Sequence, residues 1–152
     1  MPNASGLAEF RQGISLLRKG HSSEAVAYLR RAAEMEDHNP TYISFLGVSM
    51  ARAQKDWAAA VELCKTALNL KRGDAQLYLN LAEVYESAGR RDIAVETLDS
   101  GLRRCGADVR IARMRGRFRK RRSPVLPFLK RTHFLNRTLG GLRQRLLIHF
   151  SK

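Results

Sequence analysis

Cysteine is scarce in this 152-residue chain: Cys64 and Cys105 are the only two, and they stand neither in C-x-x-C spacing nor near paired histidines. Neither a disulfide framework nor a zinc site is indicated. His21, His38, His133 and His149 lack the i, i+4 spacing of a metal-binding helix. No glycine-rich phosphate loop follows a strand, and Gly140-Gly141 does not make one. Apolar runs are short as well. None approaches the roughly 18 residues that a spanning helix needs, and the opening MPNASGLAEF has no basic region followed by an apolar one. The expected location is cytoplasmic. Glu34, Glu36 and Asp37 form the densest acidic group, but they end a helix beside a turn, where solvated surface charge is the default. With no catalytic constellation, metal site or cofactor motif, the sequence reads as that of a non-enzyme that needs no cofactor.

Acidic residues are also missing from the last third. Residues 1–102 hold 12 basic and 13 acidic side chains, whereas residues 103–152 hold 16 basic ones and the single acid Asp108. A near-neutral front and a polycationic back suggest a folded body followed by a segment that meets something negative: nucleic acid, an anionic membrane surface or an acidic protein.

What is present is a repeat. Gly20, Lys55 and Gly89 are 35 and 34 residues apart, and so are Ala25, Ala60 and Ala94, and Ala32, Ala67 and Gly101. Gly13, Gly47 and Ala82 are spaced 34 and 35, which puts one extra residue in the second copy between Gly47 and Lys55. Small residues at fixed intervals allow two helices of a hairpin to approach closely. Leu16, Met50 and Tyr85 fill the first helices, and Leu29, Cys64 and Leu98 the second. Turn-forming residues follow each pair at Asn39-Pro40, Gly73-Asp74 and Gly106. The pattern predicts helices over about 4–19, 22–35, 40–54, 57–70, 74–88, 91–104 and 107–120. In the last, Ala107, Ile111, Met114 and Phe118 share one apolar face that would cap the third hairpin.

These residues resemble the tetratricopeptide repeat family, whose 34-residue pattern runs W-x-x-L-G-x-x-Y, then A, F, A and P. The third copy fits best, with Tyr78, Leu81, Ala82, Tyr85, Gly89, Ala94, Leu98 and Gly101; the second supplies Leu46, Gly47, Met50, Trp57, Ala60, Cys64 and Ala67. The first has Glu9 and Gln12 where the family has apolar residues, and the family proline is replaced by Asp37, Arg72 and Gly106. The fold class is therefore expected to be all-α, a solenoid of three helical hairpins over residues 1–106. A basic capping helix over 107–122 and a basic tail over 123–152 complete it.

The resemblance implies a concave face made by the first helix of each repeat, where a protein partner lies. By the family's groove positions it would include Phe10, Ile14 and Leu17; Ser44, Phe45, Val48 and Arg52; and Gln76, Leu79, Asn80 and Glu83. Phe10, Ile14 and Leu17 could instead pack against the second hairpin, while Phe45 and Leu79 are expected to be exposed. The groove leans apolar and is unlike the Lys- and Asn-bearing clamp that some members use for chaperone tails.

Beyond the repeats, Arg110, Arg113, Arg115, Arg117, Arg119, Lys120, Arg121 and Arg122 form a basic tract dense enough to neutralise several phosphates. Pro124 and Pro127 then exclude a regular helix, leaving Val125, Leu126, Phe128 and Leu129 as an extended apolar stretch. After Asn136, a candidate N-cap, Leu139, Leu142, Leu146 and Phe150 recur at helical spacing and Arg137, Arg143, Arg145 and His149 lie elsewhere on the wheel. This basic amphipathic helix, weakened by Gly140-Gly141, suits an anionic membrane surface, an acidic partner helix or the protein's own body. The tail also resembles the C-termini of some small bacterial repeat proteins that read R-P-V-L-P-F-L and then L-N-x-x-L-G-x-L-R. The leading expectation is an interaction adaptor, with a nucleic-acid or ribosome-associated factor and peripheral membrane attachment as alternatives.

Overall fold

Side chains at the turns fix where the helices begin. The computed structural model describes residues 5–118, which hold seven α-helices and no strand. Three hairpins pair α1 (Gly6–Lys19) with α2 (Ser22–Met35), α3 (Pro40–Gln54) with α4 (Trp57–Leu70), and α5 (Ala75–Ser87) with α6 (Arg91–Cys105); α7 (Val109–Arg117) follows. Ser5, Asn39, Asp56, Asp74 and Asp108 each accept a backbone N–H from the first turn of α1, α3, α4, α5 and α7. Those donors have no partner inside the helix, so the caps satisfy them and set the start. Pro40 takes the first position of α3, where its missing N–H costs nothing. The stretch around Pro124 and Pro127 and the expected helix at Leu139, Leu142, Leu146 and Phe150 lie outside the described residues.

The repeat's 35 and 34 spacing marks the ends of the first helices. Gly20 turns left-handed at φ 85°; its N–H bonds the Leu17 carbonyl at 3.2 Å and the His21 N–H bonds Leu16 at 2.9 Å. After α5 the same pair of bonds recurs, Gly89 to Glu86 at 3.0 Å and Arg90 to Tyr85 at 2.9 Å. Lys55 holds this position in the middle repeat at φ 54°, although it carries a Cβ. Left-handed backbone costs an ordinary residue about 1–2 kcal/mol.

Within each hairpin the small residues do what their spacing implies. A Cβ on Gly47 would lie 2.8 Å from the Ala60 carbonyl oxygen and 2.9 Å from Cys64 Sγ, so α3 and α4 approach through that point. Ala25, Leu29, Ala32, Ala60, Cys64, Ala67, Ala94 and Leu98 are all sealed from solvent. The second-helix series is thus wholly core.

Two layers of helices differ in how they pack. Each odd-numbered helix packs on the next, α1 on α3, α3 on α5 and α5 on α7, and each even-numbered helix packs on the odd ones before and after it. Among the described residues no Cα atoms of α2, α4 and α6 come within 8 Å of one another. The backbones therefore approach more closely through the odd layer. Burial follows the same division: α3 buries Tyr42, Ile43, Ser44, Leu46, Gly47, Val48, Ser49 and Ala51, whereas α4 buries only Ala60, Cys64 and Ala67.

The last helix departs from expectation at both ends, and Phe118 as its C-cap closes it at Arg117 rather than near residue 120. Ile111 is sealed and Met114 and Phe118 pack against the third hairpin, but Ala107 is exposed and does not join that face. Asp108 is the N-cap, so the helix begins after Ala107. No helix among the described residues is long and apolar enough to cross a membrane.

Candidate functional site

The face expected to be concave is the one formed by the odd-numbered helices. Phe10 on α1 stacks on Tyr42 with ring centroids 4.6 Å apart and meets Phe45 edge-on at 5.5 Å. Both Phe10 and Ile14 are half-buried and pack against the cluster shared by the first two hairpins. Phe45 and Leu79 are half-buried too, which corrects the expectation that they stand exposed. Polar neighbours one turn away do not expose a side chain when the next odd helix supplies the contact.

Four of the expected groove residues are core. Leu17, Ser44, Val48 and Asn80 are buried between neighbouring helices and cannot touch a ligand in this arrangement. Register places a residue on the facing side of a helix, and the close approach of the odd layer then decides its depth. Arg52 is exposed and Gln76 and Glu83 are half-buried, so these three reach the surface.

From that surface inward runs a directed chain of hydrogen bonds. Arg110 Nη1 donates to Gln76 Oε1 at 3.3 Å, Gln76 Nε2 donates to Asn80 Oδ1 at 2.9 Å, and Asn80 Nδ2 donates to Ser44 Oγ at 2.9 Å. Ser44 Oγ in turn donates to the Thr41 carbonyl at 3.0 Å. The chain ties α7 to α5 and α5 to α3, and it satisfies the buried polar groups that would otherwise be costly. Alongside it, Arg52 Nε donates to Glu83 Oε1 at 2.7 Å, bridging α3 and α5.

Residues of the basic tract do different jobs. Arg115 grips Asp99 of α6 with two bonds, 2.9 and 3.3 Å, and so fastens α7. Arg110 donates to Asp108, whose carboxyl is held below the usual carboxylate range first by that guanidinium and then by the backbone N–H groups of Ile111 and Arg110. Arg117 lies 3.6 Å from Glu86. Arg113 is exposed, with no carboxylate in ion-pair distance among the described residues. Arg119, Lys120, Arg121 and Arg122 lie outside the described residues.

Sequence reasoning missed several partners. Tyr42 had no place in it, although an aromatic residue one turn before Phe45 was the available signal. Glu9, expected only as a departure from pattern, pairs with Arg31 at 3.0 Å, and Arg31 also covers the Tyr28 ring at 4.6 Å. That ion pair joins α1 to α2.

Comparison with known proteins agrees with this fold. Residues 51–117 match the tetratricopeptide repeat family model. Among solved structures, the first TPR of Spaghetti (RPAP3) bound to the HSP90 peptide SRMEEVD is similar at a TM-score of 0.63 and 15% identity, covering 78% of this chain and 95% of that one. The first TPR domain of human RPAP3 gives 0.64 and 16%, covering 76% and 90%. Yeast Tom70 gives 0.54 and 22%, covering 92% of this chain and 26% of that one. No curated protein matches the chain.

Proposed function

We propose that this tetratricopeptide repeat protein is a non-enzymatic adaptor that holds a protein partner on the concave face of α1, α3 and α5. The observation that carries the reading is the asymmetry of the two layers: the odd helices pack on one another in file, while the even ones have no comparably close backbone approach. Such a stack presents one continuous hollow surface, the form in which solenoids receive extended peptides or helices. Its solvent-reaching side chains mix apolar anchors, Phe10, Ile14, Phe45 and Leu79, with the Arg52–Glu83 pair and Gln76. One relative of this fold is described with a bound HSP90 peptide, which is consistent with peptide binding as a use of the architecture.

The test is co-purification from the native host with Phe45→Ala and Leu79→Glu variants, each checked for wild-type helicity. Loss of a specific partner with the fold intact is the expected result. Full recovery of that partner by both variants would contradict the reading.

A further inference from the structure

We propose that α7 belongs to the docking face, and that the partner segment placed there is a peptide with an acidic stretch over α7 and an apolar or aromatic stretch over α3. The proposal rests on the adaptor reading and adds the partner's chemistry. The repeat period carries it. Arg110, Arg113 and Arg117 stand 34 residues after Gln76, Leu79 and Glu83, the face positions of α5. Two contacts agree with that register: Arg110 reaches Gln76 at 3.3 Å, and Arg117 lies 3.6 Å from Glu86. The start of the basic tract and the end of the groove are one surface.

Charge along the odd helices then changes in one direction. On α1 and α3 the face offers Phe10 and Phe45; between α3 and α5 the Arg52 charge is balanced by Glu83. On α7 Arg113 is exposed without a counter-charge among the described residues, and Arg117 has only its long contact. Carboxylates laid across that end gain charge-assisted bonds from planar guanidinium forks. An RNA would use the same arginines, but the Phe10 ring is already stacked on Tyr42 and set edge-on to Phe45, and Ile14 and Leu79 give bases no stacking platform, so the pattern favours a peptide. Two interhelix steps of about 8–10 Å separate α3 from α7. An extended peptide rises about 3.3 Å per residue, so the acidic stretch and the apolar anchor stand roughly five or six residues apart.

The experiment measures fluorescence anisotropy of a labelled probe against the full chain. The probe peptide carries three Asp or Glu residues, a Gly/Ser spacer of five or six residues, and a Leu-Phe pair; its control is an isomer in which the same residues alternate. The block peptide is expected to bind at least fivefold more tightly than the isomer. Arg113→Glu with Arg117→Glu should weaken it at least tenfold, while Arg121→Glu with Arg122→Glu, the same charge change in the tail, should weaken it less than threefold. No binding of the block peptide, equal affinity for both peptides, or equal loss in both double variants overturns the proposal, the last by showing general polyelectrolyte attraction. Tighter binding of a 12-residue oligouridylate that depends on Arg113 and Arg117 overturns it in favour of nucleic acid. Where the native partner is lost with Leu79→Glu but kept with Arg113→Glu and Arg117→Glu, this inference fails and the adaptor reading stands.

Discussion

Asn80 on α5 donates from Nδ2 to Ser44 Oγ on α3 across 2.9 Å, and both side chains are almost wholly sealed, at 2% and 0% exposure. The bond joins consecutive repeats inside the odd layer, where an unpaired polar group has no water to turn to. Asn80→Ala should therefore destabilise the domain by about 1–3 kcal/mol in urea unfolding. Combined with Ser44→Ala it should cost less than the two single losses together, because the second change removes a partner already deserted. Strict additivity would show that the bond contributes nothing to stability.

Lys55 and Gly20 offer a matched pair at the same point of two repeats. Lys55→Gly relieves left-handed strain and should stabilise by roughly 0.5–1 kcal/mol after the glycine's extra unfolded-state entropy is set against it. Gly20→Ala, at φ 85°, should destabilise by about 1–2 kcal/mol. Thermal melts of the two variants check both signs.

Burial pushes the Cys64 thiol up to about 12, with the nearby Glu83 charge adding to the shift. At pH 8 the native protein should be alkylated by iodoacetamide at Cys105 and spared at Cys64, and guanidinium should abolish the difference. Peptide mass spectrometry reads this directly. Equal native labelling would mean that the second hairpin opens readily.

Asp108 has a depressed carboxyl, held mainly by Arg110. A depressed acid contributes stability above its unfolded value, near 3.9, and loses it as pH falls through the folded value. Asp108→Asn keeps an N-cap side chain and removes the charge. Its melting temperature should lie below wild type at neutral pH, and the gap should close as pH falls from the unfolded value through the depressed folded one. A gap that stays constant with pH would assign the effect to capping alone.

Most of the fold was legible because the caps and small residues act locally. Gly20, Asn39-Pro40, Gly73-Asp74 and Gly106 mark helix limits that the structure reproduces closely, and the alanine and Leu29, Cys64, Leu98 series is core throughout. The face was legible only in part. A 34-residue register says that Ser44, Val48 and Asn80 point toward neighbouring odd helices, but their depth follows from how closely those helices approach, which no local pattern encodes. Arg113 and Arg117 had the opposite fate. Their charge drew them into the tract, while their period linked them to Leu79 and Glu83.

The most direct test of the account is site-specific photo-crosslinking in the native host, with a benzoylphenylalanine placed at Leu79 on the odd-helix face or at exposed Thr66 on α4. The account predicts a discrete crosslinked protein from position 79 and none from position 66. A partner captured from position 66 and not from 79 would contradict it, because the partner would then lie on the even layer.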